Sequence, residues 1–240
     1  MKDDCNMLGV LKKIHFDQRK VWHLRDLNRL SAERMILDVG CGRGDFAFLA
    51  ADRVISIDLN MVSLTIAKGR GLKNLARANL LQLPFGDESF GNVHCADVIE
   101  HFDANSVVLV LKELYRVLKI GGLLVLASPM PSSEFWGDAS HVRPYPPESL
   151  LSLFVEEEKT GTGTNQTFHP VGCASLIGVY WRYRPLARQP WRLRTEERRR
   201  QIKNLIHPKS LLFFFCNLLA RLRILRFWCP AGFSLLLRKG

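Results

Sequence analysis

Residues 36–46, ILDVGCGRGDF, constrain this chain more than any other stretch. Ile36, Leu37 and Val39 form a short apolar run of the kind buried in a parallel sheet, interrupted only by Asp38. Gly40, Gly42 and Gly44 follow at every second position, and the DFAFLAA that comes next is expected to be helical. A strand opening into a glycine loop and then a helix lets a ligand touch bare backbone, because no Cβ blocks its approach. The spacing is D-x-G-x-G-x-G, whereas a pyrophosphate-binding turn reads G-x-G-x-x-G. The acid at the strand end and the missing glycine after Gly44 argue against a dinucleotide.

A second apolar run, 54–57, ends on Asp58, 18 residues beyond Gly40. At that spacing a nucleotide-binding fold presents a carboxylate to ribose hydroxyls, and one carboxylate can accept both protons. A helix is expected over 61–68, a short strand at 75–78 and a fourth strand at 92–96 ending on Asp97. A helix over 104–118 carries Val107, Leu111, Leu114 and Leu118 on one side. It runs into Gly121 and Gly122, expected to end it through positive φ, and then into a buried strand at 123–127. Strand and helix alternate from 35 to 129, which predicts an α/β fold with a doubly wound, mostly parallel sheet. Ligands in such sheets bind outside the carboxyl ends of the strands.

The glycine loop resembles motif I of class I S-adenosylmethionine (SAM) methyltransferases. An acid there suits a ligand carrying an amine and a sulfonium. The run ANLLQLPFGDESFGNVHCADVIEHF (78–102) resembles a segment of the small-molecule members, including those acting on quinones, natural products and surface glycans. ELYRVLKIGGLLVLASP (113–129) is similar as well. The likeness spans 35–154 and implies SAM as cofactor and seven strands in all. It places Asp38, Gly40, Cys41, Gly42, Gly44, Asp58, Leu59, Asn79, Leu80 and Asp97 around the cofactor. Asn79 stands where the family has Asp, and Gly91 replaces the Asp of an S-F-D string. These two departures keep open a second reading, a SAM-binding scaffold without transferase activity.

The resemblance also places acceptor residues after the fifth strand. PMPSSEFWGDASHVRPYPPESLLSLF (129–154) is similar to a D-x-x-H-x-R-P-Y/F-x-P loop, with a helix expected from 147 to 154. His141 is the first candidate for a base acting on an acceptor hydroxyl, His101 the second, and Asp138 the residue that orients His141. Bracing of the loop by Asp138, His141 and Arg143 is the alternative. No metal ligands are expected, because the histidines show no metal-binding spacing on one helix face.

The flanks divide the chain further. Residues 1–34 are expected to be a helical cap, which in SAM enzymes can also close over the ligand, and 35–160 the SAM-binding core. Residues 161–230 are expected to form a basic, aromatic, helical insertion, and 231–240 the last strand. The sixth strand is expected near 154–159. Residues 1–180 hold 19 Lys and Arg against 21 Asp and Glu, but 181–240 hold 15 against 2. The net charge of +11 therefore belongs to the last quarter. Arg interleaved with Trp and Tyr, followed by the apolar run SLLFFFCNLLARLRILRFW, points to an anionic membrane surface as partner of 181–228. A cap on the protein's own core is the alternative; an RNA-binding appendage, which would make the chain an RNA methyltransferase using its Arg-rich tail, is least favoured, because the Phe and Leu density exceeds what RNA contact needs. The six cysteines lack metal or disulfide spacing, and the first 20 residues lack the apolar core of a secretory signal. A cytoplasmic, membrane-peripheral location is therefore expected. The acceptor is expected to be a small or lipid-linked molecule.

Overall fold

The computed structural model describes residues 18–28, 34–132, 135–154, 170–185 and 228–240. Alternating apolar runs and amphipathic segments build one seven-stranded sheet. Its strands are β1 (Ile36–Val39), β2 (Val54–Asp58), β3 (Leu75–Arg77), β4 (Phe90–Ala96), β5 (Leu118–Pro129), β6 (Ala174–Pro185) and β7 (Trp228–Lys239). They lie in the order β3-β2-β1-β4-β5-β7-β6. β1 pairs in parallel with β2 and β4, β2 with β3, and β4 with β5. The Gly240 amide donates to Cys173 O (3.0 Å) and the Arg182 guanidinium to Ala231 O (3.2 Å), so β6 and β7 run in opposite directions. The helices are α1 (Gln18–Leu27), α2 (Met61–Gly69), α3 (Ala104–Val117) and α4 (Pro147–Leu151). Residues to Tyr180 together with Phe233–Gly240 make one compact unit, and Trp181–Gly232 a second.

Side chains alternate across the strands and divide the core in two. Leu37, Val39, Val93 and Cys95 face α3 through Val107, Val110, Leu111 and Leu114. On the other face Ile36, Val54, Leu123 and Val125 pack with Leu27 of α1, Phe46 and Leu72. Asp38, His94 and Ser234 occupy that second face by the same alternation, and all three are buried. A row of polar side chains thus runs through an otherwise apolar layer.

Several local expectations are corrected. The segment after the glycine loop is helical only as one short 3₁₀ turn, Ala47–Leu49, and not an α-helix. Residues 45–53 must return from the end of β1 to the start of β2, where Val54 pairs with Ile36. That descent is roughly 13 Å at ~3.3 Å per strand residue. An α-helix rising ~1.5 Å per residue would consume every residue of the link and leave none for turns. Gly121 does have a positive φ of 68°, but it does not end the helix. α3 already stops at Val117, and Leu118 is extended and paired with Phe90. The two glycines lie in an irregularity of β5 before pairing resumes at Asn92 and Leu123. Lys239 caps the helix end instead, its ammonium donating to Tyr115 O (3.0 Å) and Leu118 O (2.8 Å).

The sixth strand begins at Ala174, inside the stretch expected to be a helical insertion; of the expected strand near 154–159, residues 155–159 lie outside the described residues. The helix expected over 147–154 is shorter, ending at Leu151. Gly91 sits at the amino end of β4, where a Cβ would come within 2.8 Å of Arg34 Cβ. Packing against Arg34 accounts for this departure from the family pattern, at the end of the sheet opposite the ligand crevice. Among the described residues no helix is long and apolar enough to cross a membrane. Most of 181–228, where a membrane-surface helix is expected, lies outside the described residues.

Candidate active site

The carboxyl ends of β1, β2 and β4 meet at the glycine loop. Gly40, Gly42 and Gly44 all have positive φ (66°, 55° and 78°), for different reasons. A Cβ on Gly40 would lie 2.4 Å from Val98, and one on Gly44 would lie 2.2 Å from Leu72. A Cβ on Gly42 would meet nothing within 4 Å. Two of the glycines are therefore required by packing, while the middle one faces open space. Asp58 holds the loop in this shape: Oδ2 accepts the Gly42 amide (2.8 Å) and Oδ1 the Asn60 amide (2.8 Å). Each oxygen keeps a further lone pair. Leu59 is exposed and Leu80 buried. Asn79 is exposed, and its side-chain carbonyl accepts the Leu81 amide (3.0 Å). Burial, with Asp38 and Asp58 nearby, pushes the Cys41 thiol up to about 12. Cys41 should therefore react slowly with alkylating agents at neutral pH.

Helix α1 reaches this crevice. Arg19 grips Asp97 through both guanidinium ends (3.4 and 3.1 Å), and Lys20 meets Asp45 of the glycine loop (3.4 Å). Asp97 itself has a positive φ of 55°, and its amide donates to Ala127 O (2.9 Å).

Behind the loop lies a hydrogen-bond chain that sequence reasoning missed. Ser234 Oγ is 2.8 Å from His23 Nε2, His23 Nδ1 is 3.0 Å from His94 Nε2, and His94 Nδ1 is 2.7 Å from Asp38 Oδ1. With both imidazoles neutral and Asp38 ionised, the bonds have one consistent direction, each donor pointing toward Asp38. Phe46 stacks on His94 at 3.8 Å. Asp38 Oδ2 is buried and has no hydrogen-bond partner among the described residues. Period-two alternation puts Asp38, His94 and Ser234 on one face, a signal that was available, but only the sheet order makes them neighbours. His94→Ala should weaken folding by about 1–3 kcal/mol, because it strands a buried carboxylate oxygen. His94→Asn, which keeps a donor near the Nδ1 position, should restore most of it. Urea melts of the two variants check this.

The acceptor side forms where residues 135–145 dock on the turn after β4. Val142 and Arg143 amides both donate to Glu100 O (2.8 and 3.2 Å), and Tyr145 Oη donates to Phe102 O (2.9 Å). The docking brings His101 and His141 together, with ring centroids 5.0 Å apart. Asp138 Oδ2 stands 3.8 Å from His141 Nε2, and Oδ1 accepts the Ser140 amide and hydroxyl (2.9 and 2.7 Å). The loop is braced through Ser140, Phe135 O and Glu100 O, and the His141 amide also donates to Asp138 O (3.1 Å), so part of the expected bracing is present. Glu100 is 1% exposed, and its carboxylate accepts the Ser128 hydroxyl (3.3 Å). Burial pushes its carboxyl up to about 7, aided by Asp97 and opposed by its own amide and by His101 and His141. Glu100 lies inside the 78–102 string quoted for its family likeness, and its meeting with His141, 41 residues further on, is a tertiary property.

Residues 37–126 match the family described as "Methyltransferase domain". A Mycolicibacterium smegmatis protein described as "Probable S-adenosylmethionine-dependent methyltransferase" is 31% identical over 178 residues, covering 70% of this chain and 68% of that one. A Staphylococcus aureus demethylmenaquinone methyltransferase is 31% identical over 124 residues, 47% of this chain and 51% of that one. The chain thus spans about half the length of the staphylococcal relative. Among solved structures, a SAM-dependent methyltransferase from Archaeoglobus fulgidus superposes with a TM-score of 0.58 at 21% identity, over 92% of this chain and 93% of that one. That likeness shows the fold. The chain belongs to the class I SAM-dependent methyltransferases. The open face of Gly42 fits the approach of SAM, and the buried Asp38 Oδ2 behind the loop, without a hydrogen-bond partner among the described residues, is suited to an ammonium.

Proposed function

We propose that this methyltransferase places the methyl group on a hydroxyl of a small or lipid-linked acceptor held beside the carboxyl end of β4. The carrying observation is the convergence of Glu100, His101 and His141 there. SAM, when bound, supplies an electrophilic methyl on a sulfonium, whose C–S bond breaks as the new bond forms. The protein's own tasks are orientation and proton removal. Asp38 and the loop of Gly40, Cys41, Gly42 and Gly44 hold the amino-acid end of SAM, with Asp97 sharing its carboxylate between that end and Arg19. Asp58 takes the ribose hydroxyls; Leu59, Leu80 and Asn79 border the adenine. His141 accepts the hydroxyl proton on Nε2, because Nδ1 lies 2.9 Å from Phe135 O and is committed there. His101 stands in reserve, and Asp138 steadies the charge that forms on His141. A relative named for demethylmenaquinone is in line with a small-molecule acceptor. Incubation of deuterated-methyl SAM with a lipid and metabolite extract, read by mass spectrometry, tests the proposal: label on oxygen supports it, and label only on nitrogen, carbon or RNA overturns it.

The membrane part of the proposal rests on sequence, namely the 15 basic against 2 acidic residues of 181–240 and the Phe/Leu run beside them. Each basic residue near an anionic leaflet contributes on the order of 1 kcal/mol. In liposome flotation the wild type should rise with anionic vesicles. Arg221→Glu/Arg223→Glu should weaken binding by roughly 30-fold or more on that scale, and Phe214→Ser/Phe215→Ser should detach the protein. Wild type staying at the bottom of the gradient, or variants that unfold, would mark the segment as a core cap.

A further inference from the structure

We propose that Glu100, His101 and His141 form a binding site for a divalent transition-metal ion of the zinc class. One potential ligand atom from each of the three lies within 4.8 Å of those of the other two. Three donors at this separation can converge on an ion at ~2.0–2.2 Å from each after small rotations.

The surroundings are those of a ligand set. His101 Nδ1 lies 3.0 Å from Ser140 O, and His141 Nδ1 lies 2.9 Å from Phe135 O. A carbonyl oxygen only accepts, so in the neutral rings these contacts put the proton on Nδ1 and leave the lone pair on Nε2. Metal-ligating histidines are oriented by this same bond from the other ring nitrogen to a backbone carbonyl. Glu100 is buried, and the Ser128 hydroxyl steadies its carboxylate from the side of β5. Two imidazoles and one carboxylate favour zinc, iron or cobalt over magnesium, which prefers oxygen ligands and water. Three protein ligands also leave a fourth position open. Asp138 Oδ2, 3.8 Å from His141 Nε2, stands beside the site as an acidic neighbour.

The binding of an ion does not depend on the proposed function, but the role given to it rests on transfer to oxygen. A hydroxyl taking the open position becomes more acidic. Its O–H bond then breaks heterolytically, with the electron pair left on oxygen and the proton passing to water. His141 in that case holds the ion, and the ion takes over the activation otherwise assigned to the free imidazole.

The test uses the full chain, dialysed against a chelator and titrated with Zn²⁺ by calorimetry and with Co²⁺ by visible absorption. One equivalent should bind, and Co²⁺ should show the ligand-field bands of nitrogen and oxygen donors. Glu100→Gln, His101→Asn and His141→Ala should each weaken binding by more than the roughly 10–100-fold typical of losing an outer-sphere partner. SAM affinity, measured on the same samples, should be unchanged and reports that each variant is folded. Absence of stoichiometric binding, or binding that survives His101→Asn and His141→Ala together, overturns the site. Methyl transfer assayed with and without chelator separates the two proposals. Transfer to oxygen that ignores chelator yet needs His141 leaves the general-base reading standing and removes the ion's role in transfer. A bound ion with label on another atom leaves the site standing and removes the reading of transfer to oxygen.

Discussion

His141→Ala should lower turnover by about 10²-fold or more while SAM still binds with wild-type affinity. Removing a proton from the acceptor during transfer contributes roughly 10²–10⁴-fold. The remainder of the acceleration comes from holding acceptor and methyl in line, which this substitution does not touch. The prediction rests on the way His141 is held: 14% of its side chain is exposed, Nδ1 is tied to Phe135 O, and the ring lies against His101 and Phe135. Nε2 is thereby directed away from the loop backbone. The substitution also removes a loop contact, so turnover alone does not separate chemistry from bracing. A substitution that only loosens the loop should raise KM and leave kcat nearly intact. Loss of the proton acceptor should lower kcat itself. Equal kcat in variant and wild type would leave His141 as a brace.

Asp58→Ala should weaken SAM binding by about 10- to 100-fold, from about 1.5–3 kcal/mol for charged hydrogen bonds. Asp58 acts twice. Its two oxygens hold the Gly42 and Asn60 amides, and each keeps a lone pair for the ribose hydroxyls proposed above. Asp58→Asn separates the two tasks, because the amide oxygen can still accept one backbone N–H. Its loss should be smaller. Gly42→Val should match or exceed the effect of Asp58→Ala, because it puts a side chain at positive φ into the one open face of the loop. Calorimetry on folded variants measures all three. Unchanged affinity in Asp58→Ala would remove the ribose assignment.

The crevice was legible in sequence where a residue type and a strand end coincide. Asp38, the three glycines and Asp58 are local signals: an apolar run sets the strand, and the residue at its end must face the carboxyl edge of a parallel sheet. The helix expected after the loop was misread, because helix propensity says nothing about how few residues join two strands whose register is set elsewhere. The turn after β4 was half legible. His101 and His141 were both singled out, but their meeting depends on 135–145 folding back to donate two amides to Glu100 O. Forty residues separate the two histidines, so no helix-face spacing reveals the pair.

By itself, the sequence determined the strand and helix alternation, the placing of the acids at strand ends, and the separation of a near-neutral core from a strongly basic last quarter. These follow from local periodicity, the freedom of glycine and simple charge, none of which needs a partner distant in the chain. The tertiary structure alone decided three things: that β7 slots between β5 and β6, that Ser234, His23 and His94 line up behind Asp38, and that the buried Glu100 meets the imidazole of His141. Each depends on a pairing across more than 35 residues. The preference of one strand for a particular neighbour comes from the summed burial of both faces, a quantity that no single segment carries.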